Sequence, residues 1–136
     1  MDKIVFRFDY NSSPILLSGR PCGVGDFFVN SDGYFVSDWD DMRVKIPDDR
    51  LKGETELEQK VKLIYQIYRQ IWDISGFSDG EPYLGFTNEQ ERNDFFDACD
   101  YVIRRMKKLF GDEFTVWEYD ERTVEKRLLP LKPFKR

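Results

Sequence analysis

No histidine occurs anywhere in the chain. That one absence removes the commonest general base, the commonest metal ligand and the usual pH switch near neutrality. Cysteine is scarce: Cys22 lies in a glycine-rich stretch and Cys99 inside a helical pattern. Two thiols are too few for a disulfide framework or a four-thiolate zinc site, and they suit a reduced compartment. No window approaches the roughly 18 to 20 consecutive apolar residues that a membrane helix needs. The start, Met1-Asp2-Lys3-Ile4, lacks the basic and apolar regions of a signal peptide. The expectation is a cytoplasmic protein with no membrane association.

What is present is ample for a core. A chain of 136 residues, 40% hydrophobic and 16% aromatic, reads as one domain over 1–136. Twelve Phe, seven Tyr and three Trp predict a core built on rings more than on aliphatic side chains. The formal charge of −5 is unevenly spread. Between Asp26 and Glu58 stand ten acids against four bases, and between Asp73 and Tyr101 eight acids against one. From Lys126 onward there are five bases and no acid, within which 130–136 forms a basic, proline-containing tail. Two acidic tracts make a poor nucleic-acid binder, because neutralising phosphates takes clustered Lys and Arg. They suit a basic protein partner.

The periodicities switch twice. Ile4, Phe6, Phe8 and Tyr10 alternate with Val5, Arg7 and Asp9, the pattern of a half-buried strand, and a short run Ile15-Leu16-Leu17 follows. Phe27-Phe28-Val29 and Tyr34-Phe35-Val36 flank Asn30-Ser31-Asp32-Gly33, which predicts a hairpin with positive-φ residues at Asp32-Gly33. A further strand is predicted over 42–46, stopping at Pro47. Two helices come next. Thr55 with Glu58 reads as a capping box, followed by Leu57, Val61, Ile64, Tyr68 and Ile71, with Ser75-Gly76 as the stop. Thr87 with Gln90 repeats the signature ahead of Phe95, Cys99, Val102, Met106 and Leu109, and Gly111 closes the second helix. Alternation returns over 114–119 and again over 123–129. The fold class expected is α+β: a mostly antiparallel sheet of N-terminal strands and hairpin plus a C-terminal strand pair, with two consecutive amphipathic helices on one face.

Several local patterns have plain structural explanations. The glycines of 18–25 lack the Gly-Lys-Ser/Thr ending of a phosphate loop and read as a strand-connecting turn, and Cys22 beside Arg20 has no histidine to activate it. Pro47-Asp48 with Glu58-Gln59-Lys60 imitates a nuclease metal motif, but its second half belongs to a helix and cannot aim both groups at one metal. The cluster Asp38, Trp39, Asp40, Asp41 lacks the glycine and glutamate of a calcium loop. It reads as a solvated turn or as a recognition surface in which a ring anchors and carboxylates select a basic partner. Asp79, Glu81 and Tyr83 mix acids and an aromatic in the same way in the loop over 77–86. No residue is assigned a catalytic or metal-binding role, and no cofactor is expected.

In overall character, being short, acidic, aromatic-rich and without catalytic residues, the chain resembles the small acidic immunity proteins of bacterial toxin systems. The resemblance rests on general make-up and on no motif. It implies a cytoplasmic, non-enzymatic inhibitor that neutralises a basic toxin or effector, such as a nuclease, through an acidic surface containing Asp38, Trp39, Asp40, Asp41, Asp79, Glu81 and Tyr83. The alternative is a phage or mobile-element protein that inhibits host machinery; a metal-dependent enzyme using Asp38, Asp40 and Asp41 ranks below both.

This reading makes a negative prediction. Purified protein carries no stoichiometric zinc, and low-millimolar Mg²⁺ or Ca²⁺ leaves its melting temperature nearly unchanged, since a metal stabilises only by binding the native state. A shift of several degrees in a thermal melt would revive the Asp38, Asp40, Asp41 metal site.

Overall fold

The computed structural model describes residues 3–8, 12–20, 23–38, 44–71 and 86–116. Six strands, β1 (Lys3–Phe6), β2 (Ile15–Arg20), β3 (Gly23–Asn30), β4 (Tyr34–Val36), β5 (Lys45–Pro47) and β6 (Phe114–Val116), form one sheet in the order β5-β4-β3-β2-β1-β6. Helices α1 (Thr55–Gln70) and α2 (Glu89–Phe110) lie between β5 and β6 in the chain. Every neighbouring strand pair is antiparallel except β1–β6. β6 can lie parallel to β1 because the chain reaches it through the helix pair, and parallel neighbours need such a long crossover. The α+β architecture with a mostly antiparallel sheet and two helices is as the sequence predicts. Of the expected C-terminal strand pair, β6 is one member, and 123–129 lies outside the described residues, as does the tail 130–136.

The sheet's register gathers its apolar side chains. Ile4 pairs with Leu17 and Phe114, Phe6 with Ile15, Ile15 with Phe27, Val29 with Phe35, and Phe35 with Ile46. Directly opposed residues share a face, and all of these are buried except Ile46, which is half-buried. On the other face Val5, Leu16, Ser18 and Asp26 are only half-buried. Toward the β3–β4 end this contrast stops: Phe27, Phe28 and Val29 are all buried, as is Val36 opposite Phe28. Since successive strand residues point to opposite sides, that end is covered on both. The ring of Tyr65 on α1 meets Phe28 edge-on at 5.2 Å.

The two helices run antiparallel. Glu54, just before α1, bonds Arg105 near the end of α2, while Tyr68 near the end of α1 stacks toward Phe95 near the start of α2. Leu57, Val61, Ile64, Ile67 and Ile71 form the buried stripe of α1; Phe95, Ala98, Cys99, Val102, Ile103, Met106 and Phe110 form that of α2. The α1 stripe departs from the predicted one at a single position, Ile67 replacing Tyr68, whereas that of α2 replaces Leu109 by Phe110 and adds Ala98 and Ile103. Tyr68 and Leu109 are half-buried at the margin. The core also differs from the expected predominance of rings. Among the described residues eight buried Phe stand beside thirteen buried Ile, Leu and Val, with the rings concentrated where sheet and helices meet.

Both predicted helix starts are displaced. α1 begins at Thr55 with Glu54 in the cap position and no side-chain cap bond, so Thr55 is inside the helix. Glu58, expected to close a capping box, instead accepts from the Ser31 amide at 2.8 Å and pairs with Lys62 at 3.5 Å. The competing donor won because the β3–β4 hairpin tip docks here: Gly53 N–H also donates to the Ser31 carbonyl. For α2 the cap is Asn88, whose side chain accepts from Glu91 N–H at 2.8 Å, while the Glu91 carboxylate accepts from Thr87 N–H at 2.9 Å. The cap thus lies one residue later than Thr87 and Gln90 suggest, and the returning carboxylate bond goes to the residue before the cap instead of to the cap itself. α1 ends at Gln70, with Ile71 as its C-cap, short of the predicted Ser75-Gly76 stop, which lies outside the described residues. Gly111 closes α2 as expected, with φ +57° and its N–H on the Lys107 carbonyl.

The hairpin is confirmed with a three-residue turn, Ser31-Asp32-Gly33, closed by the Asn30–Tyr34 pair. Gly33 has φ +104°, a region open to glycine and strained for other residues, and its N–H donates to the Asn30 carbonyl at 3.0 Å. Most of the stretch 18–25, expected as a strand-connecting turn, is itself strand: Ser18 to Arg20 end β2 and Gly23 to Gly25 begin β3, with an irregular register between Leu17 and Arg20, while 21–22, Cys22 included, lie outside the described residues.

Two guanidinium groups lock the helix pair to its surroundings. Arg105 grips Glu54 with Nε and Nη2 at 2.6 and 2.5 Å. Arg50, in the 3₁₀ turn Asp49–Leu51, holds Asp48 and Glu113 and lies 4.2 Å over the Phe110 ring. Hydrogen bonding by Arg105 holds the Glu54 carboxyl below its ordinary pKa, burial opposing in part. A carboxylate with a lowered folded-state pKa stabilises the fold above its unfolded pKa and stops doing so as pH falls through the folded value. Glu54→Gln and Arg105→Gln should therefore show a coupling of about 1 kcal/mol in a double-mutant denaturation cycle at pH 7, and this coupling should fade below the ordinary carboxylate range, near pH ~4. Coupling unchanged at pH 3 would contradict the assignment.

Cys99 is fully buried, and burial pushes its thiol pKa well up. Native protein should resist a thiol reagent at Cys99 until it unfolds. Rapid labelling read by mass spectrometry at peptide level would show that this helix face opens.

Candidate partner-binding surface

β4 ends at Val36, and the next two residues set up the acidic cluster. Ser37 N–H donates to the Val44 carbonyl at 3.0 Å and Val44 N–H to Ser37 Oγ at 3.3 Å, so the chain leaves and returns at one pinned point. Asp38 is exposed directly beyond this pin. Of the predicted surface residues it is the one within the described residues; Trp39, Asp40, Asp41, Asp79, Glu81 and Tyr83 lie outside them. Ile71 and Phe86, the described residues on either side of 72–85, are both buried.

The structure adds acids that pattern reading left unassigned. The tract from Asp73 to Tyr101 continues into α2, whose first three turns carry Glu89, Glu91, Asp94, Asp97 and Asp100 against one base, Arg92. Arg92 is placed 5.0 Å over the Phe96 ring. Glu89 and Asp97 are exposed and form no ion pair among the described residues. The periodicity that identifies the buried stripe of α2 also identifies its outer face, so the signal for these acids was in the sequence.

Beside them, Leu63, Gln66, Ile67 and Gln70 of α1 and Asn88, Gln90, Glu91 and Asp94 at the start of α2 line a groove of about 350 Å³. Its polar groups largely serve each other: Gln90 donates to Asp94 at 2.7 Å, and Asn88 and Glu91 are spent on the helix cap. Elsewhere several carboxylates are committed to structure, Asp48 and Glu113 to Arg50, Glu54 to Arg105, and Glu58 to the hairpin tip. Asp48 and Glu58, the two halves of the nuclease-like pattern, thus have unrelated duties, the first capping a 3₁₀ turn and the second tying down a hairpin.

Among the described residues no three Cys, Asp or Glu side chains converge as metal ligands, and no helix is long and apolar enough to cross a membrane. Compared with protein-family models, curated proteins and solved structures, the chain matches none.

Proposed function

We propose that this protein is a protein-binding inhibitor, an immunity-type protein that neutralises a basic toxin or effector, such as a nuclease, through an acidic, aromatic-containing surface. The observation that supports it is the division of labour among the carboxylates. Several at the packing seams are tied into ion pairs or hydrogen bonds, and the exposed ones include Asp38 at the pinned end of β4, immediately before Trp39, and Glu89 and Asp97 on α2. An exposed acidic surface raises the rate of encounter with a positive groove and disfavours partners of its own sign. A nuclease's substrate groove is positive because it must hold phosphates. The charge of −5 over 136 residues is too dilute to imitate a duplex with two charges every ~3.4 Å, so the reading is recognition of a protein patch and not mimicry of DNA.

The product of the neighbouring open reading frame is the partner to test. Replacing Asp38, Asp40 and Asp41 together by Asn should leave the melting curve nearly unchanged, since exposed charges contribute little to stability. The same variant should associate more slowly with that partner and with a weaker salt dependence. Trp39→Ala should mainly speed dissociation, at a cost of about 2 kcal/mol or more. If Trp39→Ala instead lowers stability by ~3 to 5 kcal/mol, the ring belongs to the core. If the triple variant binds as wild type does at low salt, the acidic cluster is a solvated turn and the proposal fails at this surface.

A further inference from the structure

A different hollow, on the basic half of α2, has unspent donors. Tyr101, Arg104, Arg105 and Lys108 fall on one side of the helix, at the three- and four-residue spacing of neighbours, and line a hollow of about 290 Å³. Its walls are mostly carbon, from the Tyr101 ring and the long aliphatic stems, with the charges carried at their ends. Arg105 spends Nε and Nη2 on Glu54, which leaves Nη1 without a partner among the described residues and holds the guanidinium still. Arg104 places Nε on the Asp100 carbonyl at 3.3 Å, and its two terminal nitrogens have no partner among the described residues. The Lys108 ammonium likewise forms no ion pair there. Glu54 is engaged by Arg105 and Glu56 by the Tyr101 hydroxyl, while Asp97 and Asp100 lie one turn toward the start of the helix.

Arg104, Arg105 and Lys108 thus put three cations on the lining of one hollow in a protein of net charge −5. Complementing the negative end of α2 accounts for cations in the last turn, but it does not require them to border a shallow, open, carbon-walled hollow together with an aromatic ring. We propose that this hollow binds a small planar organic anion, its phosphate or carboxylate meeting Arg105 Nη1, Arg104 and Lys108 and its flat body lying on Tyr101. A guanidinium fork suits both oxyanions, and a side chain already held by Glu54 loses little freedom on binding. The site is independent of the acidic surface and does not rest on the inhibitor reading.

The test is a ¹H–¹⁵N chemical-shift titration of the full chain with AMP and with benzoate, alongside inorganic phosphate and adenosine. Expected are saturable shifts centred on Tyr101, Arg104, Arg105 and Lys108, half-complete below about 1 mM for AMP, benzoate or both. Those two arms tell phosphate from carboxylate. Phosphate and adenosine alone should bind at least ~10-fold more weakly, each lacking half of the recognition. Arg104→Gln with Lys108→Gln leaves the Glu54–Arg105 clamp in place, so the spectrum should remain folded while affinity falls ~10-fold or more. The proposal is overturned if neither AMP nor benzoate gives saturable shifts at these residues, if inorganic phosphate binds as tightly as AMP, or if the folded double variant binds like wild type.

Discussion

The Phe95 ring sits where the sheet, α1 and the beginning of α2 come together. It lies 5.5 Å from Phe8, which continues β1, 6.4 Å from Tyr68 of α1, 5.5 Å from Phe86 ahead of α2, and 5.4 Å from its neighbour Phe96. Phe8 in turn stacks on Tyr68 at 5.2 Å with the rings nearly parallel, and meets Phe6 edge-on. One buried ring thus joins three elements that are far apart in the chain, and such pairs add to the energy of simple area burial. An antiparallel helix pair has no reason to sit on a sheet unless both present apolar surface to it at the same place. Here rings meet at both ends of α2, Phe95 with its neighbours at the start and Phe110 with Phe35, 5.8 Å away, at the finish, with aliphatic side chains between.

Polar contacts then settle what apolar burial leaves free. The hydrophobic effect is non-directional, and sliding or rotating α1 by a fraction of a turn would bury nearly the same area. Glu58 on the Ser31 amide, Glu54 on Arg105, and Arg50 between Asp48 and Glu113 each tie one end of a helix to one atom elsewhere. Ser13 does the same within the sheet, fully buried yet satisfied, its hydroxyl donating to the Phe27 carbonyl and accepting from Ile15 N–H. The functional consequence is a division of the surface. Carboxylates at the seams are tied into the fold, the exposed acids include Asp38 and those on the outer face of α2, and the end of α2 gathers cations.

The sequence alone carried the class of the fold and most of its parts. Alternation gave β1 and β6, apolar runs on either side of the turn at Gly33 gave the β3–β4 hairpin, and 3.6-residue spacing gave both helices, because each of these signals is written in consecutive residues. The predicted cluster at Asp38 was legible as charge, and Asp38 is exposed at the end of β4. Glu89 and Asp97 were legible only once the buried stripe of α2 was known, since the outer face of a helix is defined by the inner one.

Tertiary structure decided the rest, and for one physical reason: those features depend on partners distant in the chain. The capping box at Thr55 and Glu58 was locally sensible, but a hairpin amide 27 residues away supplied a competing donor for Glu58. The parallel seat of β6 beside β1, the burial of Phe27, Phe28 and Val29 in succession, and the hollow between Arg104, Arg105 and Lys108 have no periodic signature. A residue's own neighbours determine which side of its helix or strand is apolar, whereas the identity of what covers that side, and which charges remain unspent afterwards, is determined only when the elements meet.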